Sequence, residues 1–184
     1  MGEIRLDTLF LTGAALCALW AGVWDIWKRR IPNHLTYTAM ILGLVTRVAL
    51  GGWRGLLDGL GAGLIFGGVF FLLFLVRGMG AGDVKLITAV ACWSGIGQGL
   101  QIVLLSAILG GVLALIYMLV HKRVRRTFSN VGTLLRYHSI LGLHPHPDIN
   151  LQNPEAIKVP YGVAIAAGTL YIFVVNLMRE GFHG

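Results

Sequence analysis

Gly78-Met79-Gly80-Ala81-Gly82-Asp83-Val84-Lys85-Leu86 leads directly into Ile87-Thr88-Ala89-Val90-Ala91-Cys92-Trp93-Ser94-Gly95-Ile96. A glycine-rich turn, one acid and one base open an apolar run that carries no further charge. Such a run reads as a helix in a lipid or protein interior, with charge held at its lip. Working outward, apolar runs extend from Leu6 to Trp24, Leu35 to Leu50, Leu56 to Val76, Leu100 to Val120 and Val159 to Met178, and Val84 to Ile96 is the short one. The expectation is an all-α polytopic membrane protein with about six transmembrane helices. It forms a single membrane-embedded domain over residues 1–184, with a polar cytoplasmic loop at about 121–158.

Bulk composition agrees. Hydrophobic residues make up 56% of 184 positions, charged residues 12%, and mean hydropathy is +0.76. A soluble domain carries about a quarter of its residues charged, so most of this surface faces something other than water. Cys17 and Cys92 both lie in apolar runs and form no C-x-x-C pair, which excludes a zinc ribbon and argues against a disulfide framework. The N-terminal apolar run lacks an A-x-A cleavage site and reads as a retained helix.

Basic residues orient the chain. With the loop after the first run in the cytoplasm, that side holds Lys28, Arg29, Arg30, Arg77, Lys85, Lys122, Arg123, Arg125, Arg126, Arg136 and Lys158. The other side holds only Arg5, Arg47, Arg54 and Arg179. The asymmetry places both termini outside, and the net charge of +7 is a topology signal. No aromatic interleaving or recognition fold accompanies it, so nucleic acid is not an expected partner. His144-Pro145-His146-Pro147-Asp148 superficially suggests a metal site, but no further ligand cluster is in view. That run is expected to be an extended, solvated loop. Gly59, Gly63 and Gly67 form successive G-x-x-x-G spacings, expected to pack helices closely within the chain.

Of the five aspartates, Asp148 lies in the polar loop, and Asp7 and Asp58 are each expected to cap the start of a span. Asp25 and Asp83 differ. Asp25 closes the first run and opens Asp25-Ile26-Trp27-Lys28-Arg29-Arg30-Ile31-Pro32-Asn33; Asp83 closes the glycine-rich turn. Two complete spans separate them, so both carboxylates lie at the same, cytoplasmic face. Two carboxylates a few ångströms apart cannot both ionise cheaply and share a proton. The ionised one can draw a proton from water while the protonated one polarises a carbonyl, so peptide hydrolysis needs no Ser or Cys nucleophile. Gly80 and Gly82 would let backbone or substrate approach Asp83.

Three stretches together resemble a known family, the bacterial type IV prepilin peptidases, membrane aspartyl proteases with a G-x-G-D motif. They are Asp25 through Thr36, Met79 through Leu86, and Val159-Pro160-Tyr161-Gly162-Val163-Ala164-Ile165-Ala166-Ala167-Gly168. The resemblance implies Asp25 and Asp83 as the catalytic pair. It also implies a prepilin or pseudopilin substrate with a short basic leader, cut at the cytoplasmic face of the bacterial inner membrane, with no cofactor. Larger members carry an N-terminal extension with paired C-x-x-C motifs and a methyltransferase activity. The chain begins at its first span without such cysteines, so a peptidase without N-methylation is expected, similar to those of tight-adherence (Flp) pilus systems.

Supporting roles follow. Pro32 separates two helices, since it lacks an amide donor. Asn33 caps the second span or is purely structural. Lys85 acts on Asp83 or an acidic pilin residue, or anchors to lipid headgroups. Pro160 and Gly162 shape the start of the last helix near the dyad. Three other readings remain open at this level. One is a proton-coupled transporter or channel using the same aspartates. Another is a related protease with a different substrate, such as an archaeal preflagellin peptidase. The third is a structural subunit of a secretion machine.

Overall fold

The computed structural model of the protein describes residues 2–122, 124–151, 153 and 159–183. Arg123 and Lys158, two of the basic residues counted above, lie outside it. The described chain is helical without strands: α1 (Gly2–Lys28), α2 (Asn33–Leu75), α3 (Ala81–Val120), α4 (Val124–Leu141) and α5 (Tyr161–His183). All but α4 are long and apolar enough to cross a membrane.

Helix α2 has 43 residues and α3 has 40. Drawn straight at about 1.5 Å per residue, each would reach about 60 Å, twice the hydrocarbon thickness. Neither is straight. The backbone leaves helical geometry at Gly52 (φ 61°, ψ −153°) and at Gly95 (φ 74°, ψ −174°), conformations that only glycine adopts readily. The chain doubles back at both. A Cβ built on Gly59 would lie 2.6 Å from Arg47 Cδ, although the two residues would stand about 18 Å apart along a straight helix. Beyond Gly95, Gly110 faces the Tyr161 ring and Gly168 faces Ser106, so residues 96–120 run antiparallel to α5. Four long helices therefore supply six apolar segments, in the places where the hydropathy pattern put six spans. The segment 81–94 is the shortest of them.

Small residues set the packing. Gly63 abuts Cys92 Sγ and Gly67 abuts Thr88, so the G-x-x-x-G ladder of α2 lies against α3 of the same chain. The first half of α2 flanks the same stretch of α3 from the other side, through Trp93 Nε1 donating to the Ala39 carbonyl at 2.8 Å. Leu11, Leu86, Ile87, Ile102 and Ile165 are fully buried between these segments, while Leu16, Trp20, Leu64, Ile108 and Leu119 point outward. An outward face of that size and apolarity suits lipid and not water.

The glycine hinges lie at one end of the bundle, and a charged clasp ties them together. Arg47, 5% exposed, donates from Nη1 to Asp58 Oδ2 at 2.7 Å and from Nε to the Trp93 carbonyl at 2.8 Å. Its guanidinium also lies over the Phe10 ring, 4.5 Å from the centroid. Asp58 Oδ1 accepts the Ile96 N–H at 3.1 Å, satisfying a donor at the start of the segment after Gly95. Asp58 was expected to cap its own span; instead it caps a neighbouring one. Asp7 does not cap α1 either, because α1 starts five residues earlier, at Gly2. The early start leaves Asp7 inside the helix, within electrostatic reach of Arg47.

At the opposite end, α1, α2 and α3 each terminate near a basic residue in left-handed conformation: Arg29 (φ 47°), Arg77 (φ 57°) and Lys122 (φ 54°). That conformation closes helices, and a cation there complements the negative end of the helix dipole. Two corrections concern the stretch expected to be a solvated loop. Residues 124–141 form α4, because Phe128, Val131 and Leu135 recur at helical spacing among polar residues. The His-Pro run does not stay extended. It bends back on α4, with the His146 ring 4.7 Å from that of Tyr137, and His146 Nδ1 accepts the N–H groups of Asp148 and Ile149.

Candidate active site

Asp25 and Asp83 reach the same end of the bundle from opposite helix polarities. Asp25 sits in the last turn of α1, where the backbone dipoles leave partial negative charge; Asp83 sits in the first turn of α3, where they leave partial positive charge. The two side chains are close enough to feel each other's charge. Asp25 is 7% exposed, and its Oδ2 accepts the backbone N–H of Gly162 at 3.1 Å.

That bond depends on a missing side chain. A Cβ on Gly162 would lie 2.9 Å from Asp25 Oδ2, so any larger residue would push the carboxylate away. Pro160 stands just before α5, where a proline has no helical hydrogen bond to lose, and its carbonyl accepts the Val163 N–H at 3.2 Å. The start of α5 is thus fixed against the end of α1, and Gly22 facing the Ala166 methyl continues the close approach one turn deeper.

Asp83 is placed by its own turn. Its carboxylate points back at Gly80, the residue preceding α3, whose absent Cβ would come within 3.0 Å of Oδ2. Gly82 packs against Ile31, which is buried, so the turn before α3 rests on the Ile31-Pro32-Asn33 linker. Pro32, with φ −64° and ψ 134°, holds that linker extended and is itself the residue preceding α2. Asn33 is therefore the first residue of α2 and not its cap, and no side chain caps this terminus. The Asn33 Oδ1 instead accepts a hydrogen bond from Lys85 Nζ at 2.9 Å. Lys85 also lies 5.1 Å from the Tyr37 ring centroid, so its ammonium faces α2 and not Asp83.

All the site residues read from the sequence come to this end, and the structure adds Tyr161. Its ring fills the space left by Gly110, lies 6.2 Å from the Phe70 ring, and comes within electrostatic reach of Asp83. It stands between Pro160 and Gly162, so its motif was visible, but which way it faced depended on how α5 packs. Arg47 was also underread, as one outer-face charge among four. The two cysteines are buried and free, each more than two helical turns along its helix from the aspartate it shares that helix with. Among the described residues no group of three or more His, Cys, Asp or Glu side chains could hold a metal ion.

Residues 12–115 match the family model described as the type IV leader peptidase family. That range contains both aspartates and stops before α4 and α5. The chain is also 30% identical over 126 residues to a "Prepilin leader peptidase/N-methyltransferase" of Xanthomonas campestris pv. campestris. The aligned region covers 60% of this chain and 41% of that relative. No solved structure matches.

Proposed function

This chain belongs to the type IV leader peptidase family, and we propose that it hydrolyses the leader peptide bond of prepilins with Asp25 and Asp83. The observation that carries this reading is the convergence of two carboxylates from different helices at one end of an apolar bundle. One carboxylate, ionised, takes a proton from the attacking water. The other, protonated, donates to the scissile carbonyl as it becomes tetrahedral; the two exchange roles when the amine leaves. The Gly162 N–H fixes Asp25, and the Gly80 turn fixes Asp83, so the pair is oriented before substrate arrives.

In this reading the dyad faces the cytoplasm of a bacterial inner membrane and both termini lie outside. Support comes from the basic residues that close α1, α2 and α3 at the dyad end. The substrates are Flp-type pilins and pseudopilins with short basic leaders. N-methylation is left out of the proposed activity, because the chain's two cysteines are buried and unpaired, with no C-x-x-C motif.

The test is co-expression with a candidate Flp pilin and comparison of precursor and mature sizes. Asp25→Asn and Asp83→Asn should each leave the precursor uncut while the protein accumulates in the membrane at its usual level. Normal processing by either variant would remove the dyad mechanism.

A further inference from the structure

Helix α4 is built differently from the other helices. It starts four residues after α3 ends, and the last residues of α3, Leu119 and Val120, are 63% and 72% exposed among outward-facing apolar side chains. A membrane-crossing segment thus delivers the chain to the bilayer surface immediately before α4 begins. Phe128, Val131 and Leu135 then occupy one face, at spacings of three and four residues, and are 64%, 47% and 70% exposed. Among the described residues nothing covers them. Arg125 and Arg136, exposed and three turns apart, line up beside this stripe, and Lys122 stands exposed just before the helix. An apolar stripe flanked by cations, next to the end of a span, is complementary to one surface: acyl chains below, phosphate groups alongside.

We infer that α4 lies in the plane of the membrane at the dyad end, its Phe128–Val131–Leu135 face sunk among lipid tails and Arg125 and Arg136 on anionic headgroups. The inference is independent of the peptidase reading, since it uses only the membrane embedding of α3. Its occupant is an anionic bilayer; a second copy of the chain or a soluble partner would cover the stripe in a different way.

Spin labels separate these cases in the full chain reconstituted in nanodiscs. Labels are placed one at a time by Phe128→Cys, Leu135→Cys and, on the polar face, Ser129→Cys. The unsubstituted chain, with its buried Cys17 and Cys92, serves as the blank. In nanodiscs containing phosphatidylglycerol, labels at 128 and 135 should favour collisions with oxygen over a nickel chelate and report about 5–10 Å of depth below the headgroups. The label at 129 should report water. Replacing phosphatidylglycerol by phosphatidylcholine should shift the first two labels toward water, as should Arg125→Glu with Arg136→Glu in the original lipid. Equal exposure of all three labels to the chelate would overturn the inference. So would shielding of 128 and 135 from both probes, the signature of a protein cover, or a depth indifferent to lipid charge.

Discussion

The two ends of the bundle use the same pair of helical segments and treat charge in opposite ways. At the hinge end, the first half of α2 contributes Arg47 and the first half of α3 contributes Trp93 and Gly95. There the guanidinium is matched by a carboxylate, a carbonyl and an aromatic face. At the other end the same segments contribute Asn33 and Asp83, and the two carboxylates nearby have backbone N–H groups and each other, with the charge of Arg29 also felt by Asp25. A charge held in a salt bridge, as at Arg47–Asp58, keeps helices in register; two neighbouring carboxylates that no salt bridge holds among the described residues can act on a substrate in the proposed reaction.

The comparison breaks first at the dyad. Asp25→Asn and Asp83→Asn should each lower leader cleavage by about 10³-fold or more, with thermal stability in detergent unchanged or raised. A large loss of stability instead would put those carboxylates in the same structural class as Asp58. Next comes the clasp. Asp58→Leu leaves Arg47 buried with a carbonyl and a ring, and should cost about 3 kcal/mol or more in unfolding measurements. Arg47→Met should cost less, because the Asp58 side chain is 42% exposed and can be hydrated. Combining the two should recover much of the loss, and the protein that stays folded should still cut.

A methyl at Gly162 tests the link between α5 and Asp25. Gly162→Ala should reduce cleavage by roughly 10–100-fold through displacement of the carboxylate, with only a small fall in melting temperature. The smallest effect is expected at Lys85. Lys85→Met removes its bond to Asn33 and should change cleavage by less than about tenfold, as suits a half-exposed pair. A loss as deep as that of the dyad would make Lys85 part of the chemistry.

Much of this contrast is legible in the amino-acid sequence. Hydropathy located the six apolar segments because lipid demands long uncharged runs, and span counting put Asp25 and Asp83 on one face. What remained hidden depends on contacts between distant residues. Arg47 and Asp58 are eleven apart, and no local rule pairs them until Gly52 turns the chain. Asn33 looked like a cap because Asn prefers that position, but Pro32 took it and freed the Asn33 amide for Lys85. Helix α4 was obscured by averaging: its arginines and serines lower the mean hydropathy of a stretch whose apolar residues still keep a helical period.

The hinge at Gly95 has a further consequence for the solvent of the site. By ending the segment 81–94 after fourteen residues, it leaves a helix of about 21 Å in a hydrocarbon layer of about 30 Å. The segment is buried among longer helices that meet the lipid in its place, so its first turn can begin below the surface those helices reach. The thickness of the bilayer around the longer helices is then expected to bear on how easily water descends to Asp83. Membrane thickness is then expected to act as a rate variable, to be read by measuring cleavage across phospholipids of increasing chain length. Thin membranes should favour turnover, and thick ones should starve the dyad of its second substrate.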